Sequence, residues 1–187
     1  MDLENVDMGL MRDIVVVEYR SEWVENFTAE SRRLSDSLAS VLISIHHIGS
    51  TSVPGLAAKP IIDILAVVGS LKELDACNDA MMDLGYEPKG EFGIVGRRFF
   101  IKGSDACRTH HVHAYELGHH EVGEHLDFRD YLRVQPEQAL RYAELKAKLA
   151  ARYRNDIEAY IEGKELLIKE IIGNARQWLG ALDECNR

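Results

Sequence analysis

The stretch from residue 46 to residue 68, HHIGSTSVPGLAAKPIIDILAVV, joins a Gly-Ser turn to an apolar run that holds a single acid. Residues 60–68 are apolar at nearly every position, which is typical of a central strand covered on both faces. Asp63 lies inside this run, where an ionised carboxylate without a partner would be very costly. We therefore expect Asp63 either to pair with cations or donors, to open into a cleft, or to be satisfied by backbone amides.

The turn upstream consists of Gly49, Ser50, Thr51 and Ser52. Small residues let the backbone approach a ligand closely, and successive amides with hydroxyls form a concavity that binds anions. Most Gly-Ser turns are plain turns, but one followed by an acid on a buried strand has the layout that holds nucleotide phosphates beside a metal-binding carboxylate. The stretch therefore predicts a phosphate-binding turn, and Lys59 is counted with its ligand-binding residues.

Composition limits the function classes. The chain has 187 residues, 46% of them hydrophobic, and a formal net charge of -9. The negative charge disfavours nucleic acid and anionic membranes as partners, although a local basic pocket remains compatible with it. Three cysteines without a CxxC pair suggest neither a disulfide framework nor a thiolate zinc site, and the absence of a signal-like or membrane-length segment predicts a cytoplasmic protein.

The remaining pattern predicts an α+β fold, with a mixed β-sheet flanked by helices and a helical C-terminal third. Residues 1–12 are predicted to form a loose N-terminal tail, and residues 13–187 a single domain. We predict strands over residues 13–19, 43–48, 60–68, 97–103 and 108–116. We predict helices over residues 21–40, 71–85, 119–135, 136–154 and 156–182, with Pro136 as the first residue of its helix.

Histidines mark the strand THHVHAYE, residues 109–116. The alternation of a strand places His111 and His113 on one face and the core-directed Val112 and Ala114 on the other. Together with Asp63 from a neighbouring strand, the two imidazoles could form a two-His-one-carboxylate metal site. They could instead donate to phosphate, act as general acid and base, or form a polar strand face bonded to neighbouring side chains.

Basic residues supply the candidate charge for a phosphate chain. Arg98 and Lys102 share a face of the strand RRFFIKG. They could bind a phosphate chain, or their charges could protect an edge strand from pairing. Lys164 and Lys146 lie within the apolar stripes of their helices, where a lysine either snorkels outward or meets an anion. Lys164 is the preferred ligand candidate of the two, and Arg129 is a secondary one in a mainly structural segment.

The motif HIGSTSVPGLAAKPIIDI resembles the signature of the GrpB family, also called UPF0157, which is similar to nucleotidyltransferases with polymerase-β-like folds. The likeness continues through LGYEPKGEFGIVGRRFFIKG, RTHHVHAYELG and HLDFRDYLRVQPEQALRYAELKAKLA, and covers roughly residues 14–172. Members of that family are sometimes fused to dephospho-CoA kinase. The resemblance implies a nucleotidyltransferase-like fold.

In the superfamily pattern, the Gly-Ser turn precedes an Asp-x-Asp or Asp-x-Glu, and a later strand supplies a third acid. Gly49 and Ser50 match the turn and Asp63 matches the first acid, whereas Leu65 stands where the second acid is expected. The strand of His111 and His113 corresponds in order to the one that delivers the third acid. The resemblance implies a divalent metal, Mg²⁺ or Mn²⁺, held by Asp63 with the histidines as replacements.

Three functions remain open. The first is a nucleotidyltransferase-like enzyme that moves a nucleotidyl or phosphoryl group to an unknown acceptor. The second is a non-catalytic module that binds a nucleotide or CoA-type ligand and has lost the second acid, which Leu65 favours. The third is a metal-dependent hydrolase that uses Asp63, His111 and His113.

Overall fold

The computed structural model describes residues 13–104 and 107–185. The predicted N-terminal tail, residues 1–12, lies outside the described residues. No helix among the described residues is both long enough and apolar enough to cross a membrane.

One mixed sheet has its five strands in the order β1-β2-β5-β4-β3. The strands are β1 (Leu42–Ile48), β2 (Ile62–Val68), β3 (Tyr86–Pro88), β4 (Arg97–Gly103) and β5 (Arg108–Glu116). Strands β2 and β5 are parallel, and the other neighbours are antiparallel. The β-branched and apolar residues of β2 suit this central position, because both of its faces are covered.

Helices cover both faces of the sheet. They are α1 (Glu22–Ser37), α2 (Leu71–Asp75), α3 (Asn78–Asp83), α4 (His120–Val134), α5 (Pro136–Arg152) and α6 (Ile157–Cys185). The first face of the sheet is the one to which Ile64 and Val112 point. These two side chains form one core with Trp23 and Leu34 of α1 and Met81 of α3. Val122 and Leu126 of α4 pack on the second face, and α5 and α6 pack beside α4. The predicted α+β class with a helical C-terminal third is confirmed.

Two local predictions differ from the structure. Residues 13–19 form no regular strand, since only Val17 makes an isolated bridge, to Ala58, and Val15 is exposed. The helix predicted over residues 71–85 is divided into α2 and α3 by Cys77, whose φ of -93° and ψ of 9° are not helical. Asp75 and Asn78 flank this break, and such residues favour turns and caps over helix interiors.

The edge strand β3 was not predicted. It has three residues and ends in Pro88, so its sequence carries little strand signal. Buried Tyr86 anchors it to the first face, and the chain then enters the loop that leads to β4.

Candidate functional site

Gly49 connects β1 to a single 3₁₀ turn, Ser50–Ser52, at the edge of the candidate site. The preceding residue, Ile48, pairs with Asp63 in the sheet, so the turn starts beside that carboxylate. Gly49 has φ 68° and ψ -172°, a region open essentially only to glycine. A Cβ at this position would lie 2.5 Å from Oδ2 of Asp63. Glycine is therefore required for the close contact between the turn and the acid.

The parallel pairing of β2 with β5 gathers the predicted metal ligands on the second face. Asp63 pairs with His111, and Leu65 pairs with His113. Nδ1 of His111 lies 3.2 Å from Oδ1 of Asp63, and Nε2 of His113 lies 3.9 Å from the same oxygen. One ligand atom from each of the three residues falls within 4.8 Å of the others. The structure thus brings these side chains together as their strand faces indicate, and their metal-binding role stays a prediction.

The charges of this cluster are set by burial and by its own hydrogen bonds. Burial acts to raise the pKa of Asp63, but the contacts with His111 and His113 outweigh it and hold that pKa far below its usual range. Burial lowers the pKa of His113, against the opposing effect of Asp63. The cluster at neutral pH therefore contains an ionised carboxylate and, at His113, a neutral imidazole that offers a nitrogen lone pair.

The outer nitrogens of the two imidazoles are buried. Nε2 of His111 and Nδ1 of His113 have no hydrogen-bond partner within the described part of the chain. The ring of Phe99 in β4 packs on both, with ring centroids 5.2 Å from His111 and 5.0 Å from His113. His125 of α4 lies on the other side of His113, at 5.4 Å between centroids, and burial lowers the pKa of His125 to about 3. The histidines are thus enclosed by uncharged rings.

Leu65 occupies the position expected for a second acid. Its side chain is fully buried and packs with Ile48, Val67 and Tyr115. The cluster therefore has one acid on β2, with an apolar packed side chain in the second position.

The hydroxyls of the turn do not point where the sequence predicted. Oγ1 of Thr51 donates to the carbonyl of Ile61 at 3.3 Å and accepts from Nε2 of His47 at 3.0 Å. Oγ of Ser52 donates to the carbonyl of Gly49 at 2.6 Å. Thr51 and Ser52 are both buried, so their side chains stabilise the turn and the prediction that they contact a ligand is not supported. Ser50 is half-buried. Burial raises the pKa of the Tyr142 hydroxyl, and the side chain of Ser50 acts against this larger effect.

Two lysines lie over the ring of Tyr160, Lys164 from α6 and Lys59 from the segment before β2. Nζ of Lys164 lies 4.3 Å from the ring centroid of Tyr160, and Nζ of Lys59 lies 5.9 Å from the same centroid. Burial lowers the pKa of Lys164 to about 8, while the charge of Asp63 acts to raise it. Lys164 therefore lies within electrostatic range of the acid, and its contact with a phosphate or with Asp63 stays a prediction.

Lys146 is the more deeply buried lysine, with 2% of its surface exposed. Its Nζ donates to the carbonyl of Ala57 and lies 4.8 Å from the ring centroid of Tyr142. Burial and the neighbouring charge of Lys164 lower its pKa to about 7. The sequence signal for Lys146 is its place in an apolar helix stripe, the same signal that makes Lys164 the preferred ligand candidate. The structure adds Lys146 to the basic residues near the turn.

The two basic residues predicted on β4 lie on the opposite face of the sheet. Arg98 forms a two-pronged ion pair with Asp75, at 2.6 and 2.8 Å. Lys102 pairs with buried Glu30 at 2.6 Å. The register pairs Phe99, not Arg98, with His113, so Phe99 shares the face of the cluster. The prediction that Arg98 and Lys102 neutralise a phosphate chain at Asp63 was wrong for this reason.

Arg129 and Arg133 of α4 support the backbone around the turn. Arg129 donates to the carbonyl of His47 at 3.2 Å and pairs with Asp130. Arg133 donates twice to the carbonyl of Ser52, at 3.1 and 2.9 Å. Arg129 thus has the structural role expected of its segment, and its secondary role as a ligand residue stays a prediction.

The fold and the cluster together define an α+β protein in which a glycine turn adjoins a carboxylate and two histidines on neighbouring strands. The chain belongs to the GrpB family, whose model, described as GrpB protein, matches residues 13–174. It is 46% identical to UPF0157 protein YqkA of Bacillus subtilis over 175 residues, which cover 94% of this chain and 51% of YqkA. The chain therefore spans about half the length of that relative.

A crystal structure of the conserved protein GrpB from Enterococcus faecalis is similar over 88% of this chain and 99% of that one. Its TM-score is 0.83 and its sequence identity is 42%. A structure of the Cid1 poly(U) polymerase matches 72% of this chain and 44% of that one, with a TM-score of 0.49 and 13% identity.

Proposed function

We propose that the chain binds a nucleotide or related phosphate-containing ligand, together with a divalent metal, at Asp63, His111 and His113. The observation that carries this proposal is the meeting of three ligand atoms within 4.8 Å beside the turn at Gly49. A nucleotidyltransferase-like transfer to an acceptor is the reaction that this arrangement serves best.

The spacing of the three side chains suits a shared ion. Two ligands that each lie about 2.1 Å from a shared ion are roughly 3.0 Å apart at the right angle of an octahedral site and roughly 3.4 Å apart at a tetrahedral angle. The distance of 3.2 Å from Asp63 to His111 falls between these values, and the 3.9 Å from Asp63 to His113 lies slightly above them. Imidazole nitrogens suit transition metals better than Mg²⁺, so Mn²⁺ is the better choice of the two ions named from the sequence.

Positive charge near the turn supports an anionic ligand. Lys164 and Lys146 are both held in surroundings that disfavour an isolated ammonium, and a phosphate chain would relieve that cost. Nζ of Lys59 also approaches the Tyr160 ring, 5.9 Å from its centroid. Electrostatic clamping of this kind is most of what phosphoryl-type transfer requires of a protein, with the metal supplying further charge neutralisation when bound.

A binding module without catalysis is the second candidate, and buried Leu65 favours it. A site with one carboxylate can hold one metal–phosphate pair, whereas two-metal transfer needs further acids to activate the attacking hydroxyl. In that case the ligand would be a nucleotide or CoA-type molecule that the chain recognises and releases unchanged.

The test is calorimetric titration of ATP with and without Mn²⁺, followed by an assay for pyrophosphate release with a panel of acceptors. We expect binding that depends on Mn²⁺ and that weakens at least tenfold in Asp63→Asn. Asp75→Asn is the matched control, because Asp75 pairs with Arg98 on the opposite face and its loss should leave ATP affinity unchanged.

The outcomes separate the candidates. Metal-dependent binding with turnover supports the enzyme, and the same binding without turnover supports the module. Binding that ignores Mn²⁺ and survives Asp63→Asn would contradict the metal site. Absence of ATP binding in every condition would contradict the proposal as a whole.

A further inference from the structure

The loop between β3 and β4, residues 89–96, carries an exposed aromatic ring beside the site. Phe92 is 61% exposed, and its ring is stacked on Phe99 with 5.3 Å between centroids and 20° between planes. Phe99 pairs with His113 in the sheet and contacts the rings of His111 and His113. Phe92 therefore lies on the same face as these histidines, one ring further out.

The loop is closed by hydrogen bonds that fix the position of this ring. Arg97, which is 6% exposed, donates to the carbonyl of Phe92 at 2.7 Å and to that of Glu91 at 3.2 Å. The carboxylate of Glu91 accepts from the amide of Gly96 at 2.8 Å. A buried cation thus holds the main chain that carries the ring, and Phe99 supports one face of the ring.

Phe92 also adopts an unfavourable backbone conformation. Among residues 13–104 and 107–185 it is the one non-glycine residue with a positive φ, at 45°. That region is disfavoured for residues with a Cβ. A large aromatic side chain that stays exposed at such a position is unusual for a residue that serves only the fold.

We propose that the outward face of Phe92 stacks against the nucleobase of the ligand whose phosphates bind near Asp63. This inference rests on the function proposed above and narrows it to ligands that carry an aromatic ring. The parallel stack of Phe92 on Phe99 leaves one flat face open, and offset stacking is the geometry in which nucleobases bind aromatic side chains. Every base has such a face, so this contact discriminates little between one base and another. It should favour nucleotides over polyphosphates that carry no base.

The test compares ATP with inorganic triphosphate in calorimetric titrations in the presence of Mn²⁺. We expect the unaltered chain to bind ATP about tenfold more tightly than triphosphate, the size of effect typical of one stacked base. Phe92→Ala should remove that difference without weakening triphosphate binding, and Phe92→Trp should preserve it. Val95→Ala on the same loop is the control and should change neither affinity.

Other outcomes would overturn the inference. If Phe92→Ala binds both ligands as the unaltered chain does, the stacking is refuted while the proposed function stands. If Phe92→Ala weakens both ligands equally, the loop has only a structural role and the inference is wrong. If the unaltered chain binds neither ligand, the proposed function fails and the inference fails with it.

Discussion

Replacement of Gly49 by alanine is the perturbation whose effect follows most directly from the geometry. The added Cβ would lie 2.5 Å from Oδ2 and 3.1 Å from Cβ of Asp63. The first distance is shorter than any ordinary contact, and the second leaves little room for adjustment by the main chain. The carboxylate of Asp63 would have to rotate away from His111, with loss of their 3.2 Å contact.

The magnitude has two opposing parts. A residue with a Cβ in the backbone region of Gly49 costs about 1–3 kcal/mol, and loss of a hydrogen bond to a charged group costs about 1.5–3 kcal/mol. The lower entropy of the unfolded chain offsets about 0.4–1 kcal/mol of this. We expect a net loss of about 2–4 kcal/mol, which for a chain of this size lowers the melting temperature by roughly 5–10 °C.

Gly55→Ala is the matched control for the Gly49→Ala variant. Gly55 also has a positive φ, 78°, but no heavy atom lies within 4 Å of the position that its Cβ would take. Urea unfolding measures stability, and calorimetry measures ATP affinity in the presence of Mn²⁺. Gly49→Ala should lose more stability than Gly55→Ala, and only Gly49→Ala should lose Mn²⁺-dependent ATP binding. Equal stability losses together with unchanged Mn²⁺-dependent ATP affinity in Gly49→Ala would refute the reasoning.

Two further predictions concern the basic residues. Lys146→Met should stabilise the fold by up to about 4 kcal/mol below pH 7, because a fall of the lysine pKa from 10.5 to about 7 costs about 5 kcal/mol and the lost bond to Ala57 offsets about 1. Between pH 7 and 10 the unfolded chain binds more protons than the folded chain, so the stability of the unaltered chain rises across that range. The stability advantage of Lys146→Met, measured by urea unfolding, should therefore shrink as the pH rises. An advantage that is independent of pH would contradict the claim that Lys146 carries a charge in a buried position. Lys164→Met should weaken ATP binding about tenfold in calorimetry. Arg98→Met is the control, because it removes a cation that is paired with Asp75 on the other face, and it should leave ATP affinity unchanged. Equal effects of the two variants would contradict the placement of Lys164 near the bound phosphates.

The cluster of Asp63, His111 and His113 was predictable because it needs only the alternation within two neighbouring strands. The face of β4 was not predictable in the same way. Alternation shows that Arg98 and Lys102 share a face, but only the register with β5 decides which face that is. The pairing of Phe99 with His113 turns both basic residues toward α1 and α2, where Glu30 and Asp75 meet them.

The turn shows a second limit of the sequence. Hydroxyl-bearing residues after a glycine suit an anion site, but the same hydroxyls also satisfy buried carbonyls. Thr51 and Ser52 form such internal bonds, to Ile61 and Gly49. That choice depends on tertiary neighbours, which local spacing does not reveal. The position of Phe92 could not be predicted from local spacing either. Phe92 lies near His113 because both rings pack against Phe99 of β4.

The pairing of Leu65 with His113 determines how the proposed site would work. Three acids would give a strongly negative site that binds a metal before any ligand, whereas Asp63, with Leu65 and two histidines in place of further acids, leaves a single carboxylate charge. Lys146 and Lys164 add positive charge nearby, which opposes a free divalent cation and favours a phosphate. A metal–phosphate pair balances both sets of charges, so it should bind more tightly than the sum of its parts. The buried leucine therefore favours joint entry of metal and ligand over a site that is loaded with metal in advance.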